Sequence, residues 1–189
     1  GFKKDREGNI IVTKPNFVFL SELANIGNGI NINSNNSTVG LKQLFNEISK
    51  TEKEIISHQE IKGIDIIIAM EISVSMLAQD FKPNRLEASK EIAINFIKER
   101  KNDRIGLVVF SGENFTQCPL TTDHNTLINR FNDIECGMVN DGTAIGDGLA
   151  NSINRLINSD AESKIIILLT DGKNTTGKIS PLTAADIAS

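Results

Sequence analysis

Three short stretches, far apart in this chain, carry oxygen-bearing side chains beside strand-like or turn-like runs. One group follows the apolar residues 64–70, one lies within 140–146, and one follows the apolar residues 165–169. Their side chains belong to Glu71, Ser73, Ser75, Thr143 and Asp171. Ligands of open α/β sheets bind where the carboxyl ends of parallel strands meet, so we expect these groups to converge. Hydroxyls and carboxylates together suit a hard cation such as Mg²⁺ or Mn²⁺.

Each of these residue types also has an ordinary structural role. Serine, threonine and aspartate at strand ends form turns and cap helices without binding anything. One stretch alone would favour that structural interpretation. The occurrence of all three in this order favours a metal site, and binding rather than catalysis.

The composition argues against several other classes of function. The chain has 189 residues, with 20 basic and 24 acidic side chains, a net charge of −4 and 39% hydrophobic residues. Such a chain is globular and presents no basic patch, which argues against nucleic acid as a partner. It has no Trp or Tyr, so aromatic platforms for stacking bases are scarce.

The cysteines and histidines do not suggest a soft-metal site. Cys118 and Cys136 are too few and too far apart for a disulfide framework or a zinc site, and we expect them to be small buried side chains. His58 and His124 are isolated, and we do not expect them to be ligands. No apolar run reaches the roughly 20 residues of a membrane span. The chain starts at Gly1 and stops within a helical pattern, so we expect a fragment of a longer parent.

Residues 1–60 predict two helices and two short strands. Asn16 can cap the first helix, and the Gly27-Asn28-Gly29 turn can end it. An alternating apolar and polar pattern predicts the second strand, at a sheet edge. The predicted helices cover residues 17–24 and 39–56, and the predicted strands cover residues 10–13 and 30–33.

Residues 61–189 alternate strand patterns with helix patterns. This order predicts an α/β fold: a doubly wound, mostly parallel sheet flanked by helices and joined by right-handed crossovers. Pro119 places the third strand of this part at an edge. The predicted strands cover residues 64–70, 105–110, 115–120 and 165–169. The predicted helices cover residues 85–101, 123 or 125 to 131, 142–157 and 181–188.

The pattern Glu71-x-Ser73-x-Ser75, followed by Thr143 and then Asp171-Gly172, resembles the metal-ion-dependent adhesion site (MIDAS) of von Willebrand factor A (vWA) domains. In that family the motif is Asp-x-Ser-x-Ser, a distant Thr and a distant Asp. Longer stretches resemble one branch of the family, the Bat (Bacteroides aerotolerance) proteins. These stretches cover residues 75–88, 109–113, 117–123 and 141–148.

The resemblance implies a Rossmann-like vWA fold with a divalent cation at the top of the sheet. Ser73, Ser75 and Thr143 would bind the cation directly, and Glu71 and Asp171 would bind it directly or through water. An acidic side chain of a protein partner would complete the coordination. No enzymatic activity is implied. Members of this branch are anchored in the inner membrane by flanking helices, so the parent is expected there, with the domain in the periplasm.

Two departures from the family pattern lead to further predictions. Glu71 replaces the leading Asp, and its extra methylene predicts Mg²⁺ affinity that is reduced but not abolished. Residues 1–60 resemble the segment that follows the vWA core in Bat proteins, so residues 61–189 would be the core of a permuted or fused chain that lacks one strand. The gap would lie beside residues 165–169, and residues 30–32 or 10–12 could fill it.

Several charged residues near the motif have two interpretations. Asp80, Lys82, Arg85 and Glu87 are expected to form a solvated loop and helix start, or else a rim that attracts an acidic partner. Asp141 and Asp147 flank Thr143 in the sequence, and one of them could orient the loop from outside the metal's ligand set. Asp147 could instead lie in the first turn of a helix, where the helix dipole favours a negative charge.

Two rival functions remain open from the sequence. A Mg²⁺-dependent phosphoryl-transfer or receiver-like domain also places Asp and Thr at strand ends, but it needs a nucleophilic Asp and a Lys. Here Glu71 takes the leading position, and Lys173 is the candidate Lys beside the third motif. The other rival is an interaction scaffold whose metal site Glu71 has disabled.

Overall fold

The computed structural model describes residues 16–32, residue 48 and residues 63–188. Within these ranges four strands form one sheet, in the spatial order β3-β2-β1-β4. The strands are β1 (Asp65–Glu71), β2 (Arg104–Phe110), β3 (Asn114–Thr121) and β4 (Lys164–Leu169). The helices are α1 (Phe17–Ile26), α2 (Arg85–Glu99), α3 (His124–Asn132), α4 (Ile145–Leu156) and α5 (Pro181–Ala188), with a short 3₁₀ helix at Val74–Leu77.

Strand β1 is the centre of the molecule. It pairs in parallel with β2 on one side and with β4 on the other, and all seven of its residues are buried. A continuous apolar run is typical of a parallel strand that is covered on both faces. The predicted mostly parallel α/β sheet is therefore confirmed.

Alternate residues of β1 enter two different cores, because successive side chains of a strand point to opposite faces. Even-numbered positions from 64 to 70 pack in one core with Phe96 of α2 and Phe131 of α3. On the other face, Ala69 packs in a core with Leu149 of α4 and Ala184 of α5. The sheet thus lies between two helical layers, as a doubly wound fold requires.

Strand β3 is an edge strand, as Pro119 predicted. It is antiparallel to β2, and the pairing shifts register between Ile105 and Val108. Pro119 is exposed within it, which fits the tolerance of edge strands for a residue without an N–H group.

Local capping explains where several helices begin. The Asn16 side chain accepts from the backbone N–H of Phe19 at 3.2 Å, so the predicted cap of α1 is confirmed. Asp123 caps α3 by accepting from Thr126 N at 3.0 Å. Pro181 is the first residue of α5, a position where its missing N–H costs nothing.

The structure differs from the sequence predictions most clearly at residues 30–32 and at the start of α4. Residues 30–32 do not form a strand, so that part of the predicted edge strand is wrong. Helix α4 begins at Ile145 rather than at Gly142, because Gly142 has a φ of +144° and Ala144 (φ −100°, ψ 67°) is also outside the helical region. The predicted strand at 10–13 lies outside the described residues. So does the helix at 39–56, except for Ile48, which is helical and buried.

Helix α1 joins the rest of the molecule through α5 and the second core. Leu23 of α1 is buried in the same cluster as Ala184 and Ala185.

Strand β4 hydrogen-bonds to β1 along one edge, and no strand among the described residues pairs with the other edge of β4. A groove of about 600 Å³ runs along this edge, lined by side chains of α1, β4 and α2 together with Ile32 and Ile48.

Candidate metal centre

Strand register brings the ends of three parallel strands to one level. Glu71, the last residue of β1, is paired with Phe110 of β2, and Met70 is paired with Leu169 of β4. Thr170 and Asp171, which follow β4, therefore lie beside the side chain of Glu71. This is the edge of the sheet where an open α/β fold binds its ligands.

The Glu71 carboxylate lies at the centre of a cluster of oxygen-bearing residues, and Glu71 is 0% exposed. The other members of the cluster are Ser73, Ser75, Thr143, Thr170 and Asp171. The Oε1 atom of Glu71 accepts from Ser73 Oγ at 2.5 Å and from Thr143 Oγ1 at 2.9 Å. Its Oε2 atom accepts from Thr170 Oγ1 at 2.5 Å and from the backbone N–H of Asp171 at 3.2 Å. One carboxylate thus joins three loops, from three separate parts of the chain.

The loop after β1 presents its two serines through a turn of 3₁₀ helix. Ser73 precedes this helix, and its carbonyl accepts from Met76 N at 3.0 Å. The hydroxyls of Ser73 and Ser75 are 2.8 Å apart and hydrogen-bonded. The spacing of two residues therefore brings both hydroxyls together on one side of the loop.

Two side chains from the loop between α3 and α4 hold this serine loop in place. Asp141 accepts from Val74 N at 3.2 Å, so it orients the loop as one interpretation of the sequence proposed. The Cys136 thiol donates to the carbonyl oxygens of Ile72 and Ser73, at 3.1 and 2.9 Å. Burial raises the pKa of this thiol, which keeps its proton available for donation.

Thr143 reaches the cluster from a turn that is fixed on both sides. The Ser111 hydroxyl donates to the Gly142 carbonyl at 2.8 Å, and Ala144 N donates to the Ser111 carbonyl at 2.7 Å. Thr143 N donates to Thr175 Oγ1 at 3.1 Å. Asp147, the other candidate orienting group, instead accepts from the backbone N–H groups of Lys178 and Ile179, and so holds the loop before α5.

Asp171 is buried beside Glu71 and pairs with Arg85. The distance from Arg85 Nη1 to Asp171 Oδ2 is 3.0 Å, and Arg85 Nη2 lies 2.7 Å from Asp80 Oδ2. Arg85 itself is 6% exposed. The predicted solvated helix start is therefore wrong for Arg85, because the approach of two carboxylates allows its charge to be buried.

The electrostatics of the cluster disfavour the charged form of Glu71. Burial raises the pKa of Glu71 above its ordinary value of 4.5, and the nearby charge of Asp171 raises it further. The hydrogen bonds from Ser73, Thr170 and Thr143 act in the opposite direction. Two carboxylates this close store electrostatic free energy that a bound cation would release.

Comparison with known proteins identifies the family. The model of the von Willebrand factor type A domain matches residues 66–173, which contain every part of the cluster. The chain belongs to this family.

The relatives of this vWA chain include a membrane protein of known structure. An uncharacterized protein of Borreliella burgdorferi is 40% identical over 111 residues, covering 58% of this chain and 33% of that protein. An aerotolerance-related membrane protein from Bacteroides fragilis is 35% identical with a TM-score of 0.58, covering 61% of this chain and 57% of that structure. The chain spans about a third of the length of the curated relatives it matches.

A second solved structure extends the family to a surface appendage. The vWF domain of the type V pili tip protein Mfa5 from Porphyromonas gingivalis is 26% identical with a TM-score of 0.53. The match covers 60% of this chain and 39% of that structure. The mixed α/β fold is common to these vWA neighbours. In this chain, none of the described helices is long and apolar enough to cross a membrane.

The donor set of this vWA domain fits a hard cation. A hydroxyl has one proton to donate and two lone pairs to offer. Thr143 donates its proton to Glu71, so both of its lone pairs remain for a cation. Ser73 also donates to Glu71 and therefore accepts from Ser75, which leaves one Ser73 lone pair for a cation. Among the described residues no three His, Cys, Asp or Glu side chains cluster around a possible metal position. The oxygen ligands of Ser73, Ser75, Thr143 and the two carboxylates are the type that suits Mg²⁺ or Mn²⁺ rather than a soft metal.

The structure brings all five predicted residues together, and it shows three further residues whose contacts with them the sequence did not predict. Thr170 binds Glu71, Arg85 binds Asp171, and Cys136 holds the serine loop. Thr170 could have been found, because it directly precedes Asp171 at the end of a strand. Arg85 and Cys136 gave no local signal, because their partners are 86 and 63 residues away in the chain.

Proposed function

We propose that this chain is a protein-binding vWA domain that uses a bound Mg²⁺ or Mn²⁺ to hold an acidic side chain of a partner protein. The observation that carries the proposal is the pair of hydrogen bonds from Ser73 and Thr143 to Glu71. These bonds direct both hydroxyl protons at one buried carboxylate. One lone pair of Ser73, which also accepts from Ser75, and both lone pairs of Thr143 then remain for a cation.

Each residue of the cluster has a distinct role in this proposal. Ser73, Ser75 and Thr143 supply neutral oxygen ligands. Glu71 orients the hydroxyls of Ser73 and Thr143 by accepting their protons, and it contributes a negative charge beside them. Asp171, which is 5% exposed, supplies the second negative charge. When bound, the cation would act as a Lewis acid for one carboxylate oxygen of the partner.

The neighbours support a binding function rather than an enzymatic one. One neighbour is named as a pili tip protein and the other as an aerotolerance-related membrane protein, and neither name denotes a reaction. In this chain, Lys173 is exposed rather than buried beside the carboxylates. A phosphoryl-transfer domain needs a Lys held near its nucleophile, so Lys173 offers that rival little support.

The parent protein is proposed to be membrane-associated, with this domain on the periplasmic side. The membrane association of the Bacteroides fragilis neighbour supports the first part. The resemblance of the motif stretches to Bat proteins supports the second. In that location the cluster would face other envelope proteins, whose exposed Asp and Glu side chains match the proposed ligand.

Titration of the metal-free protein with Mg²⁺ and Mn²⁺ by isothermal calorimetry tests the metal site. The expected result is one cation per chain, with binding lost in Asp171→Ala because this change removes the carboxylate beside Glu71. Circular dichroism of both proteins shows that they are folded. A folded parent chain that binds neither cation would contradict the proposal and would favour the metal-free interaction scaffold.

A further inference from the structure

Arg85 is a buried cation beside the carboxylates of the proposed metal site. Its side chain is 7% exposed and lies between Asp80, which is 45% exposed, and Asp171, which is 3% exposed. A guanidinium remains protonated at any physiological pH. The site therefore has a permanent positive charge of its own, within hydrogen-bond distance of one of its two carboxylates.

Among its contacts, the guanidinium donates to both aspartates. Nε donates to Asp80 Oδ1 at 2.9 Å, and Nη2 donates to Asp80 Oδ2 at 2.7 Å. Nη1 donates to Asp171 Oδ2 at 3.0 Å. Asp80 thus holds the planar fork at two points, while Asp171 receives a single donor on one oxygen.

Helix α2 does not need a cation at this position. Arg85 is its first residue, where the positive end of the helix dipole disfavours a positive charge. Asn84 already caps the helix by accepting from Glu87 N at 2.9 Å. The placement of Arg85 is therefore explained by the carboxylates rather than by the helix.

We propose that Arg85 sets the cation affinity of the site by competing for Asp171. Arg85 holds Oδ2 of Asp171 and compensates its charge when no cation is bound, which stabilises the metal-free fold. The same guanidinium repels a cation that binds beside Asp171 and so lowers the affinity. Asp80 limits this effect by drawing the guanidinium away from Asp171. This inference rests on the metal-dependent function proposed above.

The test compares Mn²⁺ affinity, measured by calorimetry, in the parent chain and in variants of Arg85 and Asp80. Arg85→Met removes the charge and is expected to bind Mn²⁺ about tenfold more tightly, although it melts at a lower temperature without the metal. Arg85→Lys keeps the charge and is expected to stay within about threefold of the parent chain. Asp80→Asn releases the guanidinium toward Asp171 and is expected to bind about threefold more weakly.

A purely structural role for Arg85 predicts the opposite sign for the main variant. Loss of packing alone would lower both the melting temperature and the Mn²⁺ affinity of Arg85→Met. Arg100→Met is the matched control, because Arg100 is also buried but pairs with Asp103 at the other end of the sheet. It is expected to melt at a lower temperature with unchanged Mn²⁺ affinity.

The possible outcomes separate this inference from the proposed function. If the parent chain binds Mn²⁺ and Arg85→Met binds equally or more weakly, the inference is overturned and the proposed function stands. If Arg85→Met binds Mn²⁺ and the parent chain does not, the inference is supported, and the proposed metal-dependent function of the parent chain is overturned. If neither binds, both are overturned. Should Arg85→Met fail to fold, weaker binding by Asp80→Asn supports the inference, and unchanged or tighter binding overturns it.

Discussion

The two ends of strand β1 each carry a buried carboxylate, but in contrasting environments. Asp65 begins the strand and is 1% exposed, and Glu71 ends it and is 0% exposed. The Arg104 guanidinium donates to both oxygens of Asp65, at 2.7 and 2.6 Å, and Ser159 Oγ donates at 2.5 Å. Glu71 instead receives hydroxyl and N–H donors and lies near a second carboxylate, Asp171.

This difference separates a structural carboxylate from a candidate ligand site. At the amino end, a bidentate guanidinium compensates the charge of Asp65, so the cluster is complete within the protein. At the carboxyl end, hydrogen bonds satisfy Glu71 geometrically but supply no positive charge to it. Burial is equal at the two ends, so burial alone does not indicate function. What distinguishes Glu71 is that no side chain among the described residues pairs a positive charge with it.

The largest expected effect on Mn²⁺ affinity comes from removing hydroxyls at the carboxyl end of β1, compared with removing one at its amino end. The double variant Ser73→Ala/Thr143→Val deletes two proposed ligands and is expected to lower Mn²⁺ affinity by about 100-fold. Ser159→Ala removes the matching hydroxyl from Asp65 and is expected to leave Mn²⁺ affinity unchanged. Calorimetry of both variants is the measurement. Equal losses of affinity at both ends would break the comparison.

The ion pair at the amino end is expected to contribute stability without affecting the metal site. Arg104→Met leaves the buried Asp65 charge without its guanidinium and should lower the free energy of unfolding by roughly 2 kcal/mol. This figure is below that of a fully buried pair, because the Arg104 side chain is 44% exposed. Urea denaturation measures it. A matching loss of Mn²⁺ affinity in the folded variant would contradict the separation of the two ends.

Shortening the Glu71 side chain sharpens the comparison at the carboxyl end. Glu71→Asp withdraws the carboxylate by one methylene from the hydroxyls of Ser73 and Thr143 and leaves more room for a cation. Mg²⁺ affinity is expected to rise by about tenfold, a typical effect of a group beside a metal ligand. Calorimetry tests the change. An unchanged or lower affinity would show that the reach of Glu71 is itself required.

Glu71 and Asp80 should make opposite contributions to the pH dependence of stability, because folding raises the pKa of Glu71 and lowers the pKa of Asp80. The folded state raises the pKa of Glu71 above 4.5, so it binds a proton that the unfolded state has released. The metal-free protein should therefore lose stability as the pH rises from about 4.5 through that higher folded pKa. The hydrogen bonds of Arg85 lower the pKa of Asp80 below 3.8, so its contribution is lost only as the pH falls below that value.

Glu71→Gln is the control for this pH dependence, because it keeps most of the side-chain volume and cannot titrate. Urea denaturation at a series of pH values, without metal, is expected to show a weaker decline in stability above pH 4.5 for this variant than for the parent chain. Identical profiles for the two proteins would contradict the assignment of the decline to Glu71.

Much of the fold could be predicted from local patterns in the chain. The apolar run of β1, the Asn16 cap and the Pro119 edge signal depend on neighbouring residues and on the periods of helices and strands, which are visible in the sequence. The strand predicted at residues 30–33 was wrong over residues 30–32, the part that the structure describes. Four residues of alternating polarity are too few to distinguish a strand from an extended loop.

The types and order of the candidate site residues were also visible in the sequence, because oxygen-bearing side chains follow strands whose ends must align in a parallel sheet. The charge environment of these residues was decided only by the tertiary structure. Glu71 lies 72 residues from Thr143, and Arg85 lies 86 residues from Asp171, yet these pairs are within 3.0 Å. Electrostatic free energies depend on such through-space distances and on burial, neither of which a linear pattern contains.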